Sequence, residues 1–311
     1  MQSLRERRAV RAAELRRRRL MALGALILVV ILVAAVAAVT SGGHTAVAHR
    51  RARPPTERRP VASAGLGAAP DRKLVGSEAL GDARIRRLAR LGLPIYCGGP
   101  HGDEVAFTFD DGPGPYTHYA IKKLTQAGER GTFFVVGRSM DKFPRWLPRE
   151  MTVAAIGDHT YTHPVLTELA PTQVESQIQR TREKIAHADA RTVYMFRPPY
   201  GARDAMVDRV AKRLGLLEVM WTVDSGDSLG ANWAGIIRNV EAGLHPGAII
   251  LMHENRGQTI RALTTLLPEL HRRHLRSVSL PQLFATDPPS VAAIRRGQLG
   301  CSQPVKLSNP S

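Results

Sequence analysis

Cysteine is nearly missing from this chain of 311 residues, which has only Cys97 and Cys301. Two thiols are too few for a disulfide-dense scaffold and allow one bridge at most. Acidic residues are also short, 27 against 44 Lys and Arg, for a net charge of +17. The excess is local: residues 1–75 hold 15 basic and 4 acidic side chains, so +11 sits there and +6 is spread over the other 236 residues. A folded part with so small a surplus lacks the basic stripe of a nucleic-acid binder, and no nucleic-acid partner is expected. Internal repeats are absent, which excludes a solenoid. Long apolar runs are absent too, with one exception, the 20 residues Leu20 to Val39.

That run is long enough to cross a hydrocarbon core as a helix. Arg5, Arg7, Arg8, Arg11 and Arg16 to Arg19 stand before it, so the positive-inside rule keeps residues 1–19 in the cytoplasm and everything after Thr40 outside. Ala35-Val36-Ala37 has the form of a signal-peptide cleavage site, yet the run exceeds the usual length of a signal core. The expectation is an uncleaved single-pass anchor over residues 20–40 in the cell membrane, and secretion after cleavage is the alternative. Residues 41–78, rich in Ala, Arg, Pro and Gly without apolar periodicity, read as a solvated tether. Outside the cytoplasm Cys97 and Cys301 could pair and clip the two ends of the domain, a closure credited with at most about 5 kcal/mol. Two unpaired thiols are the alternative.

From residue 79 the pattern becomes that of a folded domain. Leu80, Ile85, Leu88 and Leu91 recur at helical spacing and predict a lead-in helix over Ala79 to Leu93, within a segment 79–100. Strands are predicted at Val105 to Phe109, Thr132 to Val136, Val193 to Phe196, Leu217 to Val223, Ala248 to Met252 and Arg276 to Leu280. Helices fall between them, at Tyr116 to Ala127, Arg203 to Leu214, Trp233 to Gly243 and Gln258 to His274. Another is expected to open at the capping box Thr172-Gln173-Val174-Glu175 and run to Ala188. Strands that take turns with helices imply parallel βα units, and about seven of them suggest an α/β barrel over residues 101–290, followed by a tail 291–311 that carries Cys301.

The polar residues that fit this frame least all stand where a strand ends. Phe107-Thr108-Phe109 delivers Asp110 and Asp111 into a Gly112-Pro113 turn, Arg197 follows the strand to Phe196, Asp224 and Asp227 follow Val223, and His253 follows Met252. That edge is where barrels of parallel strands assemble their active sites. Two adjacent carboxylates at a buried strand end need a cation or donors, so one suits a metal and the other a proton. His159 and His163, four residues apart, can point to one side of a turn or helix. With a carboxylate they form a two-histidine, one-carboxylate set that leaves positions open for water and substrate, as catalytic sites do. The remaining histidines, such as His118, His187, His245, His271 and His274, read as surface or core residues.

Five ordered motifs stand between Val105 and Leu283: Thr108-Phe109-Asp110-Asp111-Gly112-Pro113, His159 to His163, Arg197-Pro198-Pro199-Tyr200-Gly201, Asp224-Ser225-Gly226-Asp227 and Leu251-Met252-His253. In these the chain resembles the polysaccharide deacetylases of the NodB homology class, carbohydrate esterase family 4. The resemblance implies a distorted (β/α)7 barrel in which Asp111, His159 and His163 bind a divalent metal, commonly zinc, with cobalt another option. It implies Asp110 as general base, Arg197 as the residue that braces Asp110, and His253 as the acid for the leaving amine, its pKa raised by Asp227. The Tyr200 backbone N–H would join the metal in holding the oxyanion. Two departures from the family pattern stand out. Ser228 occupies a position where many members carry a Trp beside the catalytic histidine, a space that Trp221 or Trp233 could fill, and Asp158 precedes His159 where Asn is frequent. Asp158 is expected in the outer shell of the metal histidines.

The expected function is metal-dependent removal of N-acetyl groups from a cell-envelope glycan, with N-acetylglucosamine in peptidoglycan favoured because the anchor puts the site near that polymer. Chitin oligosaccharides and O-acetylated xylan are alternatives within the same chemistry. A glycan-binding protein that has lost turnover is an alternative of another class, and a hydrolase of a small amide is a third.

Overall fold

Seven buried residues in a row, Glu104–Asp110, form the central strand β1 of the computed structural model, which describes residues 72–189 and 192–301. Continuous burial marks a parallel strand covered on both faces. Its side chains alternate between two apolar clusters: Val105, Phe107 and Phe109 belong to one, Ala106 to the other. By the same two-residue period Thr108 and Asp110 share the face of Ala106. The strand β7 (Ile249–His253) alternates likewise, with Ile250 and Met252 in the first cluster and Ile249 in the second. Leu251 and His253 therefore face the same way as Asp110.

On one side of β1 lie β2 (Gly131–Val135), β3 (Ala154–Asp158), β4 (Met195–Phe196) and β5 (Leu217–Glu218); on the other lie β7 and β6 (Val223–Asp224). The order is β5-β4-β3-β2-β1-β7-β6, every ladder is parallel, and β8 (Arg276–Ser277) pairs separately with the start of β1. Register sets Asp110 opposite His253 on β7 and Phe134 on β2. The sheet curls into a half-barrel. No ladder joins β5 to β6 among the described residues, so the barrel is open there; Ile95 bridges to Val219 and Cys97 to Ala248 near that seam.

Helices α1 (Arg72–Ala89), α2 (Thr117–Ala127), α3 (Gly137–Lys142), α4 (Leu147–Glu150), α5 (Pro171–Asp189), α6 (Ala205–Arg213), α7 (Trp233–Gly243), α8 (Gly257–Arg272), α9 (Leu280–Thr286) and α10 (Val291–Arg295) surround the strands. Leu124 of α2, Ile236 and Val240 of α7 and Leu263 and Leu267 of α8 pack on the Phe107 side of the sheet. Each such side chain contributes about 1.5–3 kcal/mol by leaving water. On the other side α1 and α9 bring Ile85, Ala89, Leu283 and Phe284 against Ile249 and Leu217. A side chain on Gly81 would overlap the Pro281 carbonyl, so these two helices meet at their backbones.

Several boundaries differ from the sequence reading. The lead-in helix begins at Arg72, so residues 72–78, assigned to the tether, are helical, and it ends at Ala89. The strand β3, absent from the sequence reading, lies just before His159. The single strand expected over Leu217 to Val223 is two short ones, because Arg197 takes the carbonyls of Val219 and Met220 between them. Helix α5 starts at Pro171, and the Gln173 side chain accepts the Ala170 N–H, so Thr172 is not its cap. The strand expected to Leu280 stops at Ser277, since Ser279 and Gln282 form a capping box that opens α9. Cys97 and Cys301 are joined in a disulfide across a sequence separation of 204. The expected cytoplasmic segment, anchor and tether up to residue 71 lie outside the described residues, and among those described no helix is long and apolar enough to cross a membrane.

Candidate active site

The end of β1 sets the geometry of the site. Asp110 is buried, and the next residue, Asp111, turns into the left-handed region at φ 73°. Asp tolerates that region better than most residues. A Cβ on Gly112 would overlap the Glu254 carboxylate, so only glycine lets the turn lie this close to the residue after β7. The two carboxylates thereby diverge, Asp110 toward Arg197 and Asp111 toward His163.

His159 follows β3 directly. Its Nδ1–H donates to the Arg197 carbonyl oxygen at 2.7 Å, which leaves Nε2 free to face the carboxylates, 3.6 Å from Asp110 Oδ2 and 3.7 Å from Asp111 Oδ1. The chain then turns rather than coils: Thr160 and His163 are both left-handed, at φ 67° and 61°. Asp158 Oδ1 accepts the Thr160 N–H, Thr160 Oγ1 accepts the His163 N–H, and Gln177 of α5 takes the N–H groups of Tyr161 and Thr162. This network returns His163 Nε2 to 3.2 Å from Asp111 Oδ1. The outer partner of His159 is thus the Arg197 carbonyl; Asp158 shapes the turn instead of bonding either imidazole. Burial lifts the Asp158 carboxyl well above the usual range.

One ligand atom each from Asp111, His159 and His163 lies within 4.8 Å of the others. Asp111 Oδ1 is buried without a hydrogen-bonded partner. Burial opposes ionisation of Asp111, but the neighbouring imidazoles overcome it and hold the carboxyl far below its ordinary value. For His159 burial dominates and lowers the pKa, against the pull of Asp110 and Asp111. A carboxylate and a neutral imidazole are the forms that bind a cation.

Arg197, wholly buried, follows β4 and shares the face of Met195. Nη1 donates to Asp110 Oδ1 at 2.9 Å and to Thr108 Oγ1 at 2.8 Å, Nε to the Val219 carbonyl and Nη2 to that of Met220. The guanidinium also lies over the Phe134 ring, 4.2 Å from its centre. Across the cavity His253 Nδ1–H donates to Asp227 Oδ1 at 2.7 Å, while Asp227 Oδ2 accepts the His253 N–H and the Thr259 hydroxyl. Burial works against a charged His253, yet the Asp227 hydrogen bond and the nearby carboxylates raise its pKa. Asp224 is a turn cap, its Oδ1 accepting the Gly226 N–H.

A cavity of about 380 Å³ joins these groups, lined among others by Asp110, Asp111, His159, His163 and His253. Tyr200, left-handed at φ 61° and 68% exposed, sets its ring 4.5 Å from that of His163. Trp221 lines the cavity with Ser228 and Leu229, whereas Trp233 packs on Arg261 and is not part of the lining. The residues singled out in the sequence come together here, with Arg197 and Asp227 set behind the cavity wall against Asp110 and His253. Sequence reasoning missed Thr108 and Thr259, which complete the hydrogen bonding of Arg197 and Asp227, and Arg256, which also lines the cavity. Thr108 shares the period-two face of Asp110, a usable signal; Thr259 had none.

Such a set of groups can polarise a carbonyl, remove a proton from water and return one to a departing group, which is the work of a hydrolase. The polysaccharide deacetylase family profile matches residues 98–219. A peptidoglycan-N-acetylglucosamine deacetylase of Bacillus cereus is 34% identical over 195 residues, 60% of this chain and 71% of that one. A chitooligosaccharide deacetylase of a Bradyrhizobium species is 33% identical over 58% of this chain and 90% of its own length. Among solved structures, a CE4 family pseudoenzyme from Bacillus anthracis superposes with a TM-score of 0.58 at 29% identity, over 61% of this chain and 68% of that one. The chain belongs to the polysaccharide deacetylase family, carbohydrate esterase family 4.

Proposed function

We propose that this chain removes acetyl groups from N-acetylglucosamine residues of peptidoglycan, with a divalent ion held by Asp111, His159 and His163. Zinc is the expected ion, with cobalt or another divalent ion as the alternative. The observation that supports this best is the convergence of those three ligand atoms within 4.8 Å beside Asp110 and His253. Two imidazole nitrogens and one carboxylate oxygen, with a buried Asp111 Oδ1 that no protein donor satisfies, fit such an ion. When bound, it would polarise the acetamide carbonyl and ease the deprotonation of water.

The side chains supply the proton transfers. Arg197 holds Asp110 Oδ1, so Oδ2 is the oxygen free to take a proton from the attacking water. Asp227 holds Nδ1 of His253, so Nε2 is the nitrogen that gives a proton to the amine as it leaves. The backbone N–H of Tyr200 would share the charge on the former carbonyl oxygen.

The named substrates of the two sequence relatives are peptidoglycan and chitooligosaccharide, and both fit this chemistry. Peptidoglycan is preferred on location: the Cys97–Cys301 bridge suits an oxidising exterior, and the run Leu20 to Val39 suits an anchor that keeps the domain at the wall. Acetate release from peptidoglycan, N-acetylglucosamine oligomers and acetylxylan, with and without a chelator, tests the reading. Chelator-sensitive release that favours peptidoglycan is expected; chelator-insensitive release, or preference for acetylxylan, refutes it. Protease protection of the full chain in intact cells tests the location, and a domain shielded from external protease refutes an outward orientation. The likeness to a pseudoenzyme favours a second reading, a glycan binder without turnover. Stoichiometric metal with no acetate from any acetylated glycan would support it.

A further inference from the structure

Two arginines border the site, and their surroundings differ. Arg197 is saturated, with hydrogen bonds from Nε and both terminal nitrogens. Arg256, three residues after His253 and at the N-cap position of α8, lines the same cavity with nothing to bind. Its Nε–H is buried without an acceptor, and its guanidinium forms neither an ion pair nor a hydrogen bond among the described residues. A partly buried guanidinium without acceptors is unfavourable unless an anion meets it in use, and its fork of donors suits a carboxylate.

The acetamide that reaches Asp110 and His253 is neutral, so the anion has to be carried elsewhere on the ligand. Leu229, 84% exposed, and Trp221 supply apolar surface on the cavity wall for a sugar face. We infer that Arg256 recognises a carboxylate on the O3 substituent of the sugar next to the one that loses its acetyl group, either the lactyl group of a muramic residue or a peptide attached to it. Arg256 is then the residue that separates an acidic wall glycan from a neutral chitin-like one. This deepens the proposed function and rests on it.

The test uses the full chain, with Arg256→Gln and Arg256→Lys, on N-acetylglucosaminyl–N-acetylmuramyl tetrasaccharides in three forms: free lactyl carboxylate, amidated lactyl group, and lactyl group bearing a dipeptide with a free carboxylate. The ratio of kcat/KM for the better acidic form over the amide is expected to fall about tenfold in Arg256→Gln, through KM, and to recover in part in Arg256→Lys. Whichever acidic form shows the larger ratio in the parent identifies the carboxylate. Equal losses on acid and amide, or an unchanged ratio, overturn the inference. Calorimetry on Asp110→Asn, with and without Arg256→Gln, separates the two readings. No acetate from any glycan defeats the proposed reaction, whereas equal binding of acid and amide by Asp110→Asn defeats the role of Arg256.

Discussion

Two groups of buried carboxylates differ in what surrounds them, and their charge differs accordingly although burial raises the pKa of both. Asp111 and Asp227 face imidazoles and Asp110 faces Arg197; for Asp111 and Asp227 the outcome is a pKa below the ordinary value although burial pushes upward. Glu150 and Glu254 lie behind them, wholly buried, with no cation. Both oxygens of Glu150 and one of Glu254 have no hydrogen-bonded partner, and burial lifts both groups, Glu254 to about 8. Asp111 and Asp227 are kept charged by their partners, and the second group is kept neutral by a proton. Buried without a cation, Glu150 and Glu254 thus behave as polar neutral side chains, unlike Asp111 and Asp227 beside their imidazoles.

Removing charge from the first group should produce the largest effect. Asp110→Asn keeps the shape and the contact with Arg197 but cannot accept a proton, and kcat is expected to fall about 10²–10⁴-fold with the fold intact by circular dichroism. Arg197→Met breaks the same pair from the other side and leaves Asp110 buried without a counter-charge. Thermal or urea denaturation should then show a loss of about 3–5 kcal/mol. If Asp110→Asn retains activity within tenfold, the cavity carboxylates are not the proton acceptors and the contrast between the two groups loses its functional meaning.

The cavity group was legible in the sequence and the buried group was not. Asp110 and Asp111 end an apolar run, His253 ends another, and His159 and His163 carry a ligand spacing, so the polar residues stood out against their neighbours. Glu254 follows His253 with nothing in the sequence to mark it as buried, because sequence does not show that Gly112 packs onto its carboxylate. Glu150 lies in α4, a four-residue turn without periodicity. The fold was legible where helices and strands alternate in long patterns and failed where tertiary contacts replace propensity. Ala154–Asp158 holds Ala-Ala-Ile-Gly-Asp, a poor strand by composition, yet it pairs with β2, and a Cβ on Gly157 would overlap the Phe134 ring. The break between β5 and β6 likewise reflects Arg197, 20 or more residues away, drawing on the Val219 and Met220 carbonyls.

A smaller effect is expected where a cavity carboxylate acts through an imidazole. His253 gives a proton, so its charged form is the active one and activity falls as pH rises through its raised pKa. Asp227→Asn removes the counter-charge, lowers that pKa and moves the alkaline limb of kcat/KM to lower pH. The loss should be roughly tenfold at pH 8 and slight at pH 6. A uniform loss at every pH would mean that Asp227 only positions the ring through its bond to Nδ1 and sharpens the comparison in favour of geometry over charge.

The smallest effect concerns the buried group, and its sign is opposite. An acid whose pKa is raised to about 8 keeps its proton in the folded chain over a range where the unfolded chain has lost it. The folded state then binds more protons, so the stability is full below the ordinary glutamate value and declines as pH rises through about 8, by at most about 1.4 kcal/mol per pH unit. For Asp227, with its pKa depressed, the contribution is instead present above the ordinary aspartate value and lost as pH falls. Glu254→Gln carries no titrating proton and keeps an oxygen for the Thr117 hydroxyl that now bonds Glu254. Urea midpoints measured with chelator present, so that metal binding adds no pH dependence, should show the parent losing up to about 1.4 kcal/mol between pH 6 and 7 and the variant losing less. Glu150 takes over part of the titration once its neighbour is neutral, because the two carboxyls repel only when both are charged. Parallel pH profiles for parent and Glu254→Gln would show that Glu254 is ionised in the folded chain, and the division between charged cavity and neutral underlayer would fail.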